Sequence, residues 1–191
     1  MQALAQIHAR AFGTLDAALS PILLPTLARF LFVASLFGYY WNSGLTKTGD
    51  GLLGLVRLDT GAYIQILPRV FDAVGYDPSA LGPLARAVVL LGTWAEFILP
   101  LLLLAGLFTR LAALGMIGFV VVQTWVDVMG HGAALGAWFD RHADGLIDDR
   151  GFWLFPLILL VLKGAGPLSV DALLARRQSP SAPLTPASQP R

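Results

Sequence analysis

Apolar positions along this chain fall into long runs separated by two polar stretches, and the longest runs have the length of membrane crossings. Residues 84–108 and 111–128 form two such runs, joined only by the short segment Gly106-Leu107-Phe108-Thr109-Arg110. Both are close to the ~20 residues needed to cross a hydrocarbon layer of about 30 Å, so the pattern predicts a tight transmembrane hairpin. Its first arm carries one carboxylate near the middle, Glu96, and its second carries no charge before Asp127.

Upstream, residues 1–24 read as an amphipathic surface segment. Leu4, Ile7, Ala11, Leu15 and Leu19 recur at helical spacing, while Gln6, His8, Arg10 and Asp16 fall off that stripe. Pro21 and Pro25 suit a break before a first span over about 27–45, which ends in the aromatic group Tyr39-Tyr40-Trp41. The connection from Thr46 to Pro83 is charged. Within it, Gly61–Val74 is too short and too polar to span, and it predicts a re-entrant or interfacial helix broken at Pro68. A second polar loop, Gly130–Arg150, precedes a fourth run over about 151–168, which contains Pro156 and needs Lys163 to snorkel. Residues 175–191 are rich in Pro and Ser and are expected to be disordered. The expectation is therefore an all-α integral membrane protein: a four-helix bundle over 25–174, flanked by a surface helix and a loose tail.

Composition agrees. Hydrophobic residues make up 56% of the 191 and charged residues 13%, about half the charged share of a soluble domain. A formal charge of +1 gives no reason to expect nucleic acid, and the absence of cysteine excludes disulfides, thiol redox chemistry and cysteine-ligated clusters. The start lacks the continuous apolar run and cleavage site of a signal peptide. Basic residues divide evenly between the two faces. The short turn at Arg110 and the pair Arg176-Arg177 favour both termini on the cytoplasmic side.

An acid within lipid must be paired, protonated or turned to a cavity, which makes Glu96 the first candidate for chemistry. At about 1.5 Å per residue, Tyr39, Tyr40 and Gln123 reach a similar depth. Trp94 lies one level outward and Asp127 slightly beyond. These groups could share one pocket. Arg29 is offset by an estimated ~12 Å along the axis, so a neutral or water-bridged acid is expected rather than a buried salt bridge. Asp127 and His131 are i, i+4 neighbours, a spacing that lets the carboxylate orient the imidazole for proton transfer or metal ligation. His142 among Asp140, Asp144, Asp148 and Asp149 has metal-friendly composition, but a solvated acidic loop explains it equally, and no metal site is assigned.

Four blocks, in this order, resemble the DoxX family of small four-span membrane proteins. They are Ala28-Arg29 with Ser43-Gly44-Leu45-Thr46-Lys47; Ala95-Glu96 with Leu99-Pro100; Gly106-Leu107-Phe108-Thr109-Arg110 with Leu111-Ala112-Ala113; and Gly164-Ala165-Gly166-Pro167-Leu168-Ser169-Val170-Asp171. The resemblance implies a four-helix bundle of the bacterial inner membrane, with the Glu96 and Arg110 positions among its recurring polar ones. Arg29, Lys47 and Arg110 are assigned structural or interface roles. Relatives include the membrane subunit of thiosulfate:quinone oxidoreductases and a membrane partner in oxidative-stress complexes. The leading expectation is thus a membrane component of a redox system that binds a quinone between its helices and serves a partner oxidoreductase. Glu96 would carry protons with Asp127 and His131 at the mouth, and Tyr40, Trp94 and Gln123 would shape the pocket. A non-catalytic scaffold for a soluble enzyme or metal-peptide system is the rival reading and a small transporter a third, with a homo-oligomer open in each.

Overall fold

The computed structural model describes residues 1–134, 136 and 149–178. The cluster His142, Asp140, Asp144 and Asp148 and the last thirteen residues of the tail lie outside them. The described residues form eight α-helices: α1 (Gln2–Phe32), α2 (Gly38–Leu45), α3 (Thr60–Ile66), α4 (Pro68–Ala73), α5 (Pro83–Ala105), α6 (Thr109–His131), α7 (Arg150–Lys163) and α8 (Val170–Gln178). A π turn, Val33–Phe37, joins α1 to α2 without interruption. Among the described residues, extended pairing is confined to the single bridge Thr48–Leu58.

The expected break at Pro21 and Pro25 does not occur. Gln2–Leu45 is one helix of 44 residues, about 66 Å at the usual rise. Proline removes one intrahelical bond, yet an apolar surround leaves the backbone no better partner than its own helix, so prolines are tolerated there. Thr26 Oγ1 helps by donating to the Ile22 carbonyl at 2.7 Å. Residues 2–19 stand clear of the bundle and are exposed throughout.

The π turn has a cause in the sequence. Ala28, Phe32, Leu36, Tyr40 and Gly44 are all buried, at a strict spacing of four. At about 100° per residue, that stripe would drift ~160° around a regular helix. A stretch of i→i+5 winding turns more slowly and keeps the stripe on one face. That face enters a single apolar core with Leu103 of α5, Met116 and Val120 of α6, and Leu157 and Leu160 of α7.

Among the described residues, three helices are long and apolar enough to cross a membrane: Gln2–Leu45, Pro83–Ala105 and Thr109–His131. The fourth predicted span is shorter than expected. It ends at Lys163 after 14 residues, because Gly164 at φ +81° turns the chain into the segment that leads to α8. Helix α8 also carries residues 175–178, where the tail was expected to begin. In the first loop the predicted break at Pro68 is present, since Leu67 leaves helical geometry between α3 and α4. Before α5, the hydroxyl and amide of Ser79 both donate to Asp77 and hold its carboxyl below the usual range.

The α5–α6 hairpin is fastened from below by the segment after α7. Gly106 ends α5 in the left-handed region at φ +65°, a conformation that costs glycine nothing. Asp171 accepts from the backbone N–H of Phe108 at 2.8 Å and of Thr109 at 2.9 Å, capping α6 from a different part of the chain. Arg29 donates to the Ala165 carbonyl at 3.2 Å and to that of Leu168. Both carbonyls belong to the last DoxX-like block, which Arg29 thereby ties to α1.

Candidate functional site

Gly44 permits α2 and α5 to touch. A Cβ at that position would lie 2.5 Å from the Phe97 ring, and Trp41 packs edge-on against the same ring at 5.1 Å. One turn further, this approach delivers Lys47 to Glu96. The Nζ of Lys47 donates to Glu96 Oε2 at 2.9 Å, to Ser43 Oγ at 2.7 Å and to the Ser43 carbonyl at 3.1 Å. All three ammonium donors are therefore used. Both residues are buried, with side chains 3% and 7% exposed. The Lys47 backbone is pinned in turn, its carbonyl accepting from Asp59 N–H at 3.0 Å.

This pair corrects the expectation of a neutral or water-bridged acid. On the straight part of the first helix the cation Arg29 is too far from Glu96 along the axis. Lys47 lies beyond the end of that helix, and its chain turns back over the acid.

Tyr40, Gln123 and Tyr39 form a directed chain. Buried Tyr40 O–H donates to Gln123 Oε1 at 3.3 Å, and Gln123 Nε2 donates to the Tyr39 hydroxyl oxygen at 2.9 Å. Tyr39 keeps its own proton to give to another acceptor. The rings are braced by Trp153 of α7, which lies 5.4 Å from Tyr39 and 6.3 Å from Tyr40.

Asp127 does not orient His131. Its Oδ2 is 2.7 Å from Arg150 Nη2, and a permanently charged guanidinium outcompetes a neutral ring for a carboxylate. His131 is held instead by the Gln65 carbonyl, 3.2 Å from Nε2. A carbonyl only accepts, so Nε2 is the donor in this bond.

These groups surround a cavity of ≈ 360 Å³ between α5, α6 and the first helix. Glu96, Lys47, Gln123, Asp127 and His131 all line it. Tyr39 reaches the cavity wall, whereas Tyr40 sits behind it as the first donor of the chain. Trp94 is not among the lining residues; its Nε1–H donates to the Leu55 carbonyl at 2.7 Å and ties α5 to the first loop. Arg110 is exposed at the opposite end of α6, beside Gly164. Sequence reasoning placed Tyr39 at the depth of the pocket, but it missed Ser43 and Gln65 as wall residues and missed the Lys47–Glu96 bond. For the bond a signal was present: a lysine and an intramembrane acid that each lacked a partner.

Small residues shape the space. Gly115 lies against Leu99, with a Cβ there 3.1 Å from Leu99 Cδ2, while a Cβ at Gly118 would meet nothing within 4 Å. Gly115 thus serves close helix approach, and Gly118 opens the wall.

No curated protein and no solved structure matches the chain. The DoxX family model matches residues 24–130, a stretch that takes in the Ser43–Lys47 block, Glu96 and most of the cavity wall. By that match, and by three helices of membrane-crossing length, this multi-pass membrane chain belongs to the DoxX family.

Proposed function

We propose that the chain is a component of a redox system of the bacterial inner membrane, with both termini on the cytoplasmic side, and that its cavity binds a quinone for a partner oxidoreductase. The observation that carries the reading is the composition of one wall. A hydroxyl with a proton to give (Tyr39) and a buried acid–ammonium pair (Glu96 and Lys47) face the same ≈ 360 Å³ space inside apolar helices. Cavities of that size accommodate a small ring system. Tyr39 would donate to a ring carbonyl, and the Tyr40–Gln123 chain behind it fixes the direction of that bond. Reduction to quinol takes two electrons and two protons. With no cysteine in the chain, the electrons are assigned to a reduced centre of the partner. Glu96 is assigned the passage of protons.

The test is a titration of purified protein in nanodiscs with decylubiquinone, followed by the same titration of Glu96→Gln. Saturable binding by the parent chain is expected, with the variant still binding but impaired in quinone reduction by membranes containing the partner. A parent chain that binds no quinone ends the proposal.

A second reading has an observation of its own. Residues 2–19 of α1 project from the bundle with Leu4, Ile7, Phe12 and Leu15 exposed, a surface on which a scaffold would dock a soluble enzyme. Loss of co-purifying oxidoreductase on deleting residues 2–19, with quinone binding absent from the parent, would favour it.

A further inference from the structure

The ≈ 360 Å³ cavity has unequal sides. Helices α5 and α6 touch where Leu99 meets Gly115, and α3–α4 enters between their other ends. There Ile66 lies against α5 at Gly92, where a Cβ would be 3.3 Å from Ile66 Cδ1, and Pro68 lies against α6 at Gly130, where a Cβ would be 2.6 Å from Pro68 Cγ. The cavity is the space left between that wedge and the Leu99–Gly115 contact. The wedge is also bonded in place. Gln65 Nε2 donates to Thr46 Oγ1 at 3.3 Å, and the Gln65 carbonyl accepts from His131 at 3.2 Å. The first helix closes the back with the polar groups Tyr39 and Ser43, joined by Lys47 just beyond its end.

Among the described residues, the remaining side has no such cover. Val88 of α5 is 42% exposed and Val122 of α6 61% exposed, though both line the cavity. Gly118, one turn before Val122 on α6, is exposed as well, with open space where a side chain would be. On membrane-crossing helices, exposed apolar residues face acyl chains. We infer that the cavity fills from within the bilayer, through the gap between α5 and α6 at Gly118, and that its occupant is an amphiphile whose ring lies inside while its tail stays in lipid. The route stands on this geometry alone; the identity of the ring rests on the quinone reading above.

The absence of cysteine makes a clean test. Gly118→Cys places one thiol at the gap, and Asp50→Cys places one in the exposed first loop. Each full-length variant is reconstituted in vesicles made leaky to small solutes, then labelled with pyrene maleimide or with a sulfonated, lipid-insoluble maleimide. At Gly118→Cys the lipophilic reagent is expected to react about tenfold faster or more than the sulfonated one, since a charged group enters hydrocarbon at high cost. At Asp50→Cys the sulfonated reagent should react at least as fast. Equal rates at Gly118→Cys, or a thiol inert to both reagents until unfolding, overturn the route. Should Gly118→Cys fail to fold, Val122→Cys faces the same gap and carries the same expectations. Decylubiquinone should slow lipophilic labelling several-fold. Lipid-side labelling that decylubiquinone leaves unchanged keeps the route and removes the quinone.

Discussion

Gly44 on α2 and Phe97 on α5 meet with no room for a methyl group: a Cβ at position 44 would lie 2.5, 2.7 and 2.9 Å from three atoms of the ring. Lys47 stands one turn beyond this contact and reaches a buried acid one residue before Phe97. The glycine thus sets the distance at which the ion pair can form. Gly44→Val should force the helices apart, and overpacking of this kind costs about 1–3 kcal/mol. Thermal unfolding in detergent is the measurement, with Gly44→Val/Phe97→Ala expected to recover most of the loss. A double variant no more stable than the single one would mean that the contact does not govern the approach.

The ion pair itself should be more costly to break than to remove. Lys47→Met leaves the Glu96 carboxylate without its cation in a place that water barely reaches, and breaking a buried pair on one side costs about 3–5 kcal/mol. Replacing both partners, as in Lys47→Met/Glu96→Met, takes away the unpaired charge and should restore stability to near that of the parent. A double-mutant cycle by thermal unfolding reads this directly. If the two losses simply add, the groups are not coupled.

Asp171 makes a third case, because it caps a helix that begins more than sixty positions earlier in the chain. Phe108 N–H and Thr109 N–H both point at its carboxylate, and Phe108 adopts a left-handed backbone at φ +48° that a non-glycine residue rarely takes. Asp171→Ala should cost about 1–2 kcal/mol through the lost cap and the lost charge at the α6 N-terminus. Hydrogen exchange at the Phe108 and Thr109 amides should accelerate, while that of the mid-α6 amides changes little. Unaltered exchange at both amides would remove Asp171 from this role.

The long elements of the fold were legible because their signals are local. An apolar run of twenty residues announces a membrane helix wherever it falls, and Leu67–Pro68 announces a break between two short ones. Two features escaped for identifiable reasons. Proline reads as a helix breaker on propensities from water, yet α1 passes through Pro21 and Pro25 because its surround offers the backbone no competing partner. The π turn was written in the strict spacing of four from Ala28 to Gly44, a period that was there to be counted. The site was harder. Glu96 was visible as an acid in lipid, but its partner Lys47 arrives through a turn that depends on Gly44 meeting Phe97, and no periodicity within one segment contains a contact between two. Asp127 looked like the partner of His131 at helical spacing until Arg150, twenty-three positions away, took the carboxylate.

Tyr39 and Tyr40 are adjacent in sequence and opposite in role, which gives the last prediction its control. Tyr39 lines the cavity and, with Gln123 donating to its oxygen, has a proton to offer an occupant. Tyr40 spends its proton on Gln123 Oε1 and faces the core. Tyr39→Phe should therefore weaken decylubiquinone binding by one hydrogen bond, about 1 kcal/mol or some fivefold in Kd, with thermal stability little changed. Tyr40→Phe should do the reverse: the lost bond leaves Gln123 free to turn, stability falls by a similar amount, and affinity falls less than in Tyr39→Phe. Titration in nanodiscs and thermal unfolding of the same preparations separate the two. Equal affinities for the parent and Tyr39→Phe would place the ring elsewhere in the cavity, and a larger affinity loss from Tyr40→Phe would reverse the order of the chain.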